Sequence, residues 1–598
     1  MHPLLQVPWE AAKILRKKKS IRRELMEKRQ SVNLRIAVLG GSTTKELVRM
    51  LDLFLLDMGI RPFFYESEYG QWYEEACFET SALAEFKPQL VYLHTTFADL
   101  TLPGANSDMA SMAEEVFRRY RTAWQSLSDR YGCTIIQNNF EEPYLRRFGN
   151  LDATQGLTAY IAQINGLFAA YAREHGEFFL QDIHYLASAC GLANWHDREL
   201  YHLYKLVPGY EALPFLAHNL AALIGSVLGR SRKCLVLDLD NTLWGGVIGD
   251  DGLGGIQLGH ETAAGEGYAE FQAYVKRLSE CGVVLAVCSK NEDSIAREGF
   301  THPDSLLNVE DFASFQANWE PKTVNLQRIA EELGLGLDSF VFLDDNPAER
   351  ELVRQTLPEV AVPEVEGGHP ASYISSLEAA RYFEMATFTA DDRKRAAQYM
   401  ENRKRATLKA QYASYDDFLD SLQMEAEIGP FKEIYLDRIT QLTNKTNQFN
   451  LTTRRYTQAE LKQAVAEDGA VTLYGRLTDK FGDNGLVSVV MGHREGDRLF
   501  LDLWLMSCRV LKRGLEYAMF DRLVQHAAAQ GILELVGTYY PTPKNMMVKE
   551  FYGELGFHRD GRAEPDGERW IFHLEFDHCE HGYHIKVKES EADNKDEG

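Results

Sequence analysis

Four short motifs in a fixed order between residues 234 and 346 constrain this chain more than any other feature. Cys234–Leu239 is a short apolar run leading through Asp238-Leu239-Asp240 into Asn241-Thr242. Val283–Val287 leads into Cys288-Ser289-Lys290-Asn291, Trp319-Glu320-Pro321-Lys322 follows, and Ser339–Leu343 ends in Asp344-Asp345. Apolar runs of strand length separated by helical patterns imply a parallel sheet covered on both faces. In such sheets chemistry gathers at the carboxyl ends of the strands. Two aspartates two residues apart at one strand end suit two jobs. Asp238 can attack phosphorus to form an aspartyl phosphate, and Asp240 can protonate the leaving group and later activate water. A carboxylate facing a phosphate dianion needs its charge neutralised, which hard oxygen ligands and Mg²⁺ supply, with Asp344-Asp345 completing the metal site. Ser289 suits a phosphate oxygen, and Lys322 the charge of the same phosphoryl group.

Each piece alone has a bland reading: a lone D-x-D is often a turn or a helix cap, and a lone lysine is usually solvated. Four pieces in order, three of them at strand ends, leave little room for that. The order DLDNT, CSKN, PK, LDDN resembles the haloacid-dehalogenase (HAD) superfamily. LVLDLDNTLWGGVIGDDG, CSKNED, NWEPKTVNL and FLDDNPAER resemble its FkbH-like branch, subfamily IIIC. The resemblance implies Asp238 as nucleophile, Asp240 as acid/base, Thr242 and Ser289 as phosphate-positioning groups and Lys322 as the neutralising cation. It implies Mg²⁺ held by Asp238, the carbonyl of Asp240, and Asp344 or Asp345. Between Thr242 and Ser289 there is room only for a Gly-rich turn and one helix, so the cap is minimal and the site open.

The C-terminal third alternates as strands with a few helices, an α+β pattern. Phe500–Met506 reads as a strand that runs into Ser507-Cys508-Arg509-Val510-Leu511-Lys512-Arg513-Gly514 and a helix. With Asn545 and Phe551–Phe557 this succession resembles the GNAT acyltransferase fold, whose R-x-x-G-x-G loop holds pyrophosphate on backbone N–H groups. Lys512 stands where the first glycine of that loop is usual. A single phosphodiester, as on the phosphopantetheine arm of an acyl carrier protein, fits better than coenzyme A. The resemblance implies Arg509, Arg513 and Gly514 at the phosphate and Asn545 and Tyr552 near the thiol. Cys508, at a helix N-terminus beside Arg509, is expected to be an acyl acceptor. A buried structural cysteine is the alternative, and Cys288 is the rival thiol, expected to point into the core. Leu442–Arg455 reads as a helix end plus a polar loop, with Lys445, Arg454 and Arg455 facing phosphate or carrier protein, or else as a capped turn with exposed amides. Asp479–Gly485 reads as a hairpin turn.

At the N-terminal side, strand and helix patterns alternate from Leu34. A strand ending in Gly40-Gly41-Ser42 before a helix resembles SGNH hydrolases, with Ser42 in the nucleophile position. The D-x-x-H partner is not met at Asp197 and His196 or at Asp182 and His184, so a scaffold or docking role is expected. Residues 9–32 form a basic amphipathic helix, most simply packed on the next domain. His578, Cys579, His581 and His584 match no closed zinc spacing.

The expected architecture is therefore a basic helical arm (1–32), an SGNH-like three-layer α/β domain (33–230) and a HAD-like Rossmannoid α/β domain with minimal cap (231–386). A helical connector (387–425), a GNAT-like α+β domain (426–577) and a disordered acidic tail (578–598) follow. The formal net charge of −24 speaks against nucleic acid or anionic membrane as partner. Eight scattered cysteines show no disulfide framework. With no apolar run of membrane length and no signal-peptide pattern, the cytoplasm is expected. Long FkbH-like proteins share this architecture, which implies loading of the glyceryl unit of 1,3-bisphosphoglycerate onto the phosphopantetheine thiol of an acyl carrier protein, for polyketide or tetronate assembly. An acyl phosphate is already activated, and no G-x-x-x-x-G-K-[ST] loop is present. Two other readings stand beside it. One is a HAD phosphatase with a GNAT-type acyltransferase acting in surface polysaccharide or sugar modification. The other is a carrier-binding module with vestigial thiol chemistry.

Overall fold

The computed structural model describes residues 2–588 except 29–31, 79–80, 105–107, 410, 468, 543, 562–566 and 576–580. The chain forms two compact units, one built mainly from residues 1–230 and the other mainly from residues 231–598.

The first unit holds a five-stranded parallel sheet of β1 (Val32–Gly40), β2 (Ile60–Glu66), β3 (Leu90–His94), β4 (Thr134–Asn138) and β5 (Phe178–Gln181), in the order β2-β1-β3-β4-β5. The β1, β3 and β4 runs are almost wholly buried, as continuous apolar strands covered on both faces must be. The edge strand β2 carries Pro62, and the short β5 is half-buried; neither stands out as a buried run in the sequence. The basic helix Ala11–Glu27 buries Ile14, Ile21 and Leu25 against the helix Lys45–Asp57. Its cations pair with that helix: Lys18 with Glu46 at 3.1 Å and Arg22 with Asp52 at 2.7 Å.

Two carboxyls, the half-buried Asp99 and the fully buried Glu141, lie at the carboxyl end of this sheet. Burial pushes Asp99 up to about 6 and Glu141 up to about 8. Glu141 therefore keeps its proton in the folded state at pH values where the unfolded chain has lost it. The stability it contributes is full below the ordinary glutamate range and is lost as the pH rises through about 8. Glu141→Gln, which cannot ionise, is expected to raise the melting temperature above that pH and leave it little changed in mild acid. A melting temperature of Glu141→Gln that falls equally at both pH values would remove the assignment.

The second unit contains two sheets. The first is fully parallel and consists of β6 (Cys234–Leu237), β7 (Val284–Ser289), β8 (Ser314–Ala317) and β9 (Phe340–Leu343), in the order β8-β7-β6-β9. The short β8 has a polar sequence and carries no strand signal. The second sheet is nine-stranded and mostly antiparallel. It holds β10 (Met424–Gly429), β11 (Phe449–Asn450), β12 (Val471–Asp479), β13 (Gly482–Glu495), β14 (Arg498–Met506), β15 (Glu534–Tyr539), β16 (His558–Arg559), β17 (Glu568–His573) and β18 (Ile585–Lys588). Its order is β16-β17-β15-β14-β13-β12-β10-β18, with β11 paired to β14. β14, the helix Leu515–Ala529 and β15 form a parallel crossover inside this sheet.

Two regions differ from the sequence expectation. The segment read as a connector carries the helix Ala390–Lys409, which packs on both β7 and β13 and buries Tyr399 and Arg405. Its first turn sits so close to Gly282 (φ +88°) that a Cβ there would meet the Asp392 carbonyl at 2.1 Å. Long charged side chains hid this packing, because Arg405 is buried as an ion-pair partner of Asp479 rather than as an apolar group. The second region is the tail. Ile585–Lys588 pairs in parallel with Met424–Glu427, with Ile585 turned inward and Lys586 and Lys588 outward. A period-2 pattern four residues long was masked by the acidic run after it. Residues 589–598 lie outside the described residues, as do His578 and Cys579; His581 lies beside Asp521 at 3.6 Å and His584 bonds Asp420 at 2.6 Å.

Candidate active site

Asp238 directly follows β6, its N–H donating to the Leu343 carbonyl at the end of β9. That pairing brings Asp238, Asp344 and Asp345 together: one carboxylate oxygen from each lies within 4.8 Å of the others. Lys322, first residue of the helix Lys322–Leu333, reaches into this group. Its Nζ lies 2.9 Å from Asp238 Oδ2 and 2.5 Å from Asp344 Oδ2, and its side chain is 3% exposed. Burial and the Asp238 charge push Asp344 up to about 7 despite Lys322. Burial works against the Lys322 ammonium, yet Asp238 and Asp344 outweigh it and hold its proton far more tightly than usual. Three carboxylates around one cation leave an excess of negative charge in a buried place. A hard divalent cation with oxygen ligands at about 2.1 Å fits such a donor set.

Asp240 is held differently. Its Oδ1 accepts from Trp244 Nε1 (2.9 Å) and from the Ile248 N–H (3.1 Å), and its Oδ2 accepts from Asn291 Nδ2 (3.1 Å). Burial raises its pKa, with Asp238 adding to the effect, so this carboxyl tends toward the protonated form that a general acid needs. Asn241 turns the chain here in the left-handed region (φ +55°). Its carbonyl accepts from Tyr373 Oη at 2.8 Å. The buried Thr242 hydroxyl accepts from the Asp345 N–H at 3.3 Å. Ser289 ends β7 on the same side of the sheet. The structure thus gathers Asp238, Asp240, Thr242, Ser289, Lys322, Asp344 and Asp345 at one end of β6, β7 and β9.

Two residues of this site carried no reading from sequence. Asn291 orients Asp240, and its place two residues after Ser289 in the same strand-end motif was the available signal. Arg350 donates to the carbonyls of Asp344, Asp345 and Val365, holding the aspartate turn from below. Nothing in the helix Pro347–Thr356 marks it in sequence. Cys288 is fully buried, bonded to the Lys322 carbonyl, and burial drives its thiol far up, as expected for a core residue. Trp319, three residues before Lys322, is 73% exposed.

The residues expected at a carrier arm are placed otherwise. Cys508 is half-buried and begins a single turn, Cys508–Val510, separated from the helix Leu515–Ala529. Cys508 lies close enough to Lys233 and Tyr399 for their charges to interact. Arg513 is buried and pairs with Asp479 at 3.2 Å, alongside Arg405. Gly514 (φ +90°) precedes that helix, and a Cβ on it would come within 3.1 Å of Tyr583. Asn545 is 0% exposed; its Oδ1 accepts from Thr542 and its Nδ2 donates to the carbonyls of Asn450 and Tyr540. Tyr552 is buried under Gly537, and burial raises its phenol far above the usual range. Arg513, Asn545 and Tyr552 are thus interior groups, which corrects the expectation of open side chains.

The polar run 442–455 explains Asn545. β14 and β15 pair only from Arg498–Leu501 against Glu534–Gly537 and then diverge. β11 enters the gap, with Phe449 opposite Met506 and Asn450 opposite Leu505. The Leu451 N–H donates to the Trp504 carbonyl, and the Tyr540 N–H donates to the Leu451 carbonyl. Arg455 caps the carbonyls of Thr443, Asn444 and Thr446, and Arg454 pairs with Asp502 at 2.7 Å.

In the first unit, Ser42 follows β1, buried and with its hydroxyl making no hydrogen bond among the described residues. Asp182 accepts from the Tyr185 N–H and Asp197 from the Leu200 N–H, each capping a helix. His196 bonds the Glu142 carbonyl. None of these forms a hydrolase relay with Ser42. Among the described residues no helix is long and apolar enough to cross a membrane.

Comparisons with known proteins agree with the first and central parts of the chain. The family described as FkbH, N-terminal domain, matches residues 35–225. No curated protein matches. Among solved structures, the N-terminal part of protein BF1531 from Bacteroides fragilis, containing a phosphatase domain and complexed with Mg, is 31% identical. That match covers 62% of this chain and 99% of that chain, with a TM-score of 0.58. Slighter likenesses reach the C-terminal part. The ribosomal-protein-S18-alanine N-acetyltransferase from Escherichia coli is 12% identical over 24% of this chain and 90% of that chain, with a TM-score of 0.20. The PaiA N-acetyltransferase from Thermoplasma acidophilum, in complex with coenzyme A, is 13% identical over 25% of this chain and 98% of that chain, with a TM-score of 0.20.

Proposed function

The chain belongs to the FkbH family, and from that premise we propose that it removes phosphate from an activated three-carbon acyl phosphate and passes the glyceryl unit through Cys508 to an acyl carrier protein. The observation that carries the phosphoryl half is the Lys322 bridge between Asp238 and Asp344, with Asp345 beside them. Asp238, Asp344, Asp345 and the carbonyl of Asp240 would hold Mg²⁺, the ion bound by the BF1531 phosphatase part. Bound there, Mg²⁺ supplies positive charge that lets a carboxylate and a phosphate approach.

The steps follow from this chain's own groups. An Asp238 oxygen attacks the phosphorus of the unit's phosphate monoester, the P–O bond to its alcohol oxygen breaks, and Asp240 gives its proton to that oxygen, leaving the acyl phosphate intact for the second centre. Asp240, now a carboxylate, takes a proton from water as that water attacks the aspartyl phosphate, and inorganic phosphate leaves. Lys322, Thr242 and Ser289 hold the phosphoryl oxygens. At the second centre the Cys508 thiolate attacks the acyl carbonyl, phosphate departs with the bonding pair, and a thioester forms. The pantetheine thiol of the carrier then displaces Cys508.

The two centres lie at opposite ends of β6. Lys233, whose charge interacts with Cys508, precedes that strand and Asp238 follows it.

The test incubates the full chain with 1,3-bisphosphoglycerate, Mg²⁺ and a holo carrier protein, and reads both proteins by intact mass spectrometry. A glyceryl adduct on the carrier is expected, and Cys508→Ser is expected to lose it while phosphate release continues. Phosphate release by the unaltered chain with no adduct on either protein would favour the phosphatase acting in sugar or polysaccharide modification.

A further inference from the structure

Around Cys508 the sheet of β6–β9, the helix Ala390–Lys409 and the sheet of β10–β18 meet, and their contributions at this junction are mainly cationic. Lys233 comes from the strand entry, Arg395 from the helix, and Arg438, Lys445 and Arg509 from the larger sheet's loops and helix. Among the described residues two carboxylates lie at ion-pair distance from them, and Asp338 acts on Lys233 from further off. Arg395 and Lys445 share Asp392, Lys445 at 3.3 Å, and Arg438 lies 2.9 Å from Asp391. Lys233 donates to the Lys445 carbonyl at 3.2 Å, and Arg509 to the Ser507 hydroxyl at 3.2 Å. Among the described residues neither has a carboxylate at ion-pair distance. The side chains of Lys445, Arg395 and Arg438 keep 27%, 21% and 14% of their surface open, so solvent reaches the group. In a chain of net charge −24 such a concentration of positive charge is out of keeping with the surface at large.

The charges also strain one another. Burial, followed by Arg395, Arg438 and Lys233, pushes Lys445 well below the usual lysine range. Burial, with Arg509 next for one and Arg438 and Arg509 for the other, pulls Arg438 and Arg395 down to about 10. Like charges held together in a place of reduced solvation are stable when an anion sits among them. Arginine side chains bind phosphate oxygens in pairs, and lysine adds point charge.

We propose that this cluster of cations is a second anion site, distinct from the Asp238 centre, that holds a phosphate mono- or diester beside the Cys508 thiol. Its purpose, though not its geometry, rests on the reading of Cys508 as acyl acceptor. A phosphate ester bound here sets the distance between the thiol and whatever carbonyl or thiol the ester carries. The ester has two sources: the phosphorylated three-carbon acyl unit, or the phosphopantetheine arm of the carrier. In neither case does binding require a covalent step.

The test is protection of Cys508 from alkylation by iodoacetamide in the full chain, followed at that residue by peptide mass spectrometry. The probes are 3-phosphoglycerate and 4′-phosphopantetheine capped at sulfur, neither of which can acylate the enzyme. Either probe at ~10 times its Kd is expected to slow Cys508 alkylation about ten-fold. Protection is expected to vanish in Arg509→Met and Lys445→Met and to persist in Arg509→Lys. Protection by 3-phosphoglycerate assigns the site to the acyl unit's phosphate, and protection by the pantetheine probe alone assigns it to the carrier arm. Unchanged alkylation with both probes at millimolar concentration would overturn the proposal, as would full protection in both methionine variants. If protection is seen while no glyceryl adduct forms on Cys508, the anion site stands and the acyl-acceptor reading falls.

Discussion

Asp238→Asn is expected to lower phosphate release from a phosphate monoester that carries no acyl phosphate by at least about a thousand-fold while leaving the melting temperature equal or slightly higher. The loss follows from the nucleophile's chemistry: a neutral amide oxygen does not form the phosphoryl ester, and removing one member of a machinery that acts as a unit forfeits nearly all of its effect. The stability expectation follows from the charges. Asp238 raises the pKa of Asp344, so the two carboxylates repel each other across Lys322. Removing one negative charge leaves Lys322 paired with Asp344 at 2.5 Å and relieves that repulsion. Single-turnover phosphate release and thermal unfolding, measured on the same preparation, separate the outcomes. Retained turnover would move the nucleophile elsewhere, and a large fall in melting temperature would make Asp238 a structural member of the ion cluster.

The largest expected effect on stability lies far from the chemistry. Asp479, at the turn between β12 and β13, is fully buried and receives Arg405 through Nε at 2.8 Å and a second nitrogen at 2.7 Å, with Arg513 at 3.2 Å. Asp479→Ala leaves the buried Arg513 without a carboxylate at ion-pair distance among the described residues and Arg405 with Glu401 alone, at 3.5 Å. Breaking a buried pair from one side costs on the order of 3–5 kcal/mol, a large part of a domain's total stability. The expected result is a marked drop in the urea midpoint of the C-terminal half. Because Arg405 lies on the helix that also packs on β7, the phosphoryl half is expected to lose stability in the same transition. A midpoint within experimental error of the unaltered chain would show that the arginines find solvent or other partners.

The phosphoryl site was legible in sequence because its logic is local. Asp238, Ser289 and Asp344 each close a short apolar strand, and parallel pairing of those strands brings their ends together whatever the intervening helices do. Asn291 escaped because its role depends on which way Asp240 turns, and that is set by Trp244 and the Ile248 amide. The second sheet was legible in outline and misleading in detail. The strand, loop and helix around Cys508 are where the sequence places them, but the environment of the thiol includes Lys233 and Tyr399, far away in sequence. Asn545 and Arg513 look like ligand-facing groups because they are polar residues in loops. In the folded chain they satisfy buried carbonyls and a buried carboxylate, roles that depend on partners about a hundred residues off (Asn450) and thirty-four residues off (Asp479).

Diverging parallel strands ordinarily leave two rows of backbone amides facing one another across a slot, and a thin polyamide can be stitched into it as an extra strand. Here Phe449–Leu451 already does the stitching, with its apolar side chains buried and Asn545 fastening it from behind. Any arm of that kind seeking the slot must first unpick at least two main-chain hydrogen bonds and expose Phe449 and Leu451 to water. The slot is thus a closed seam, sewn shut by the chain's own backbone.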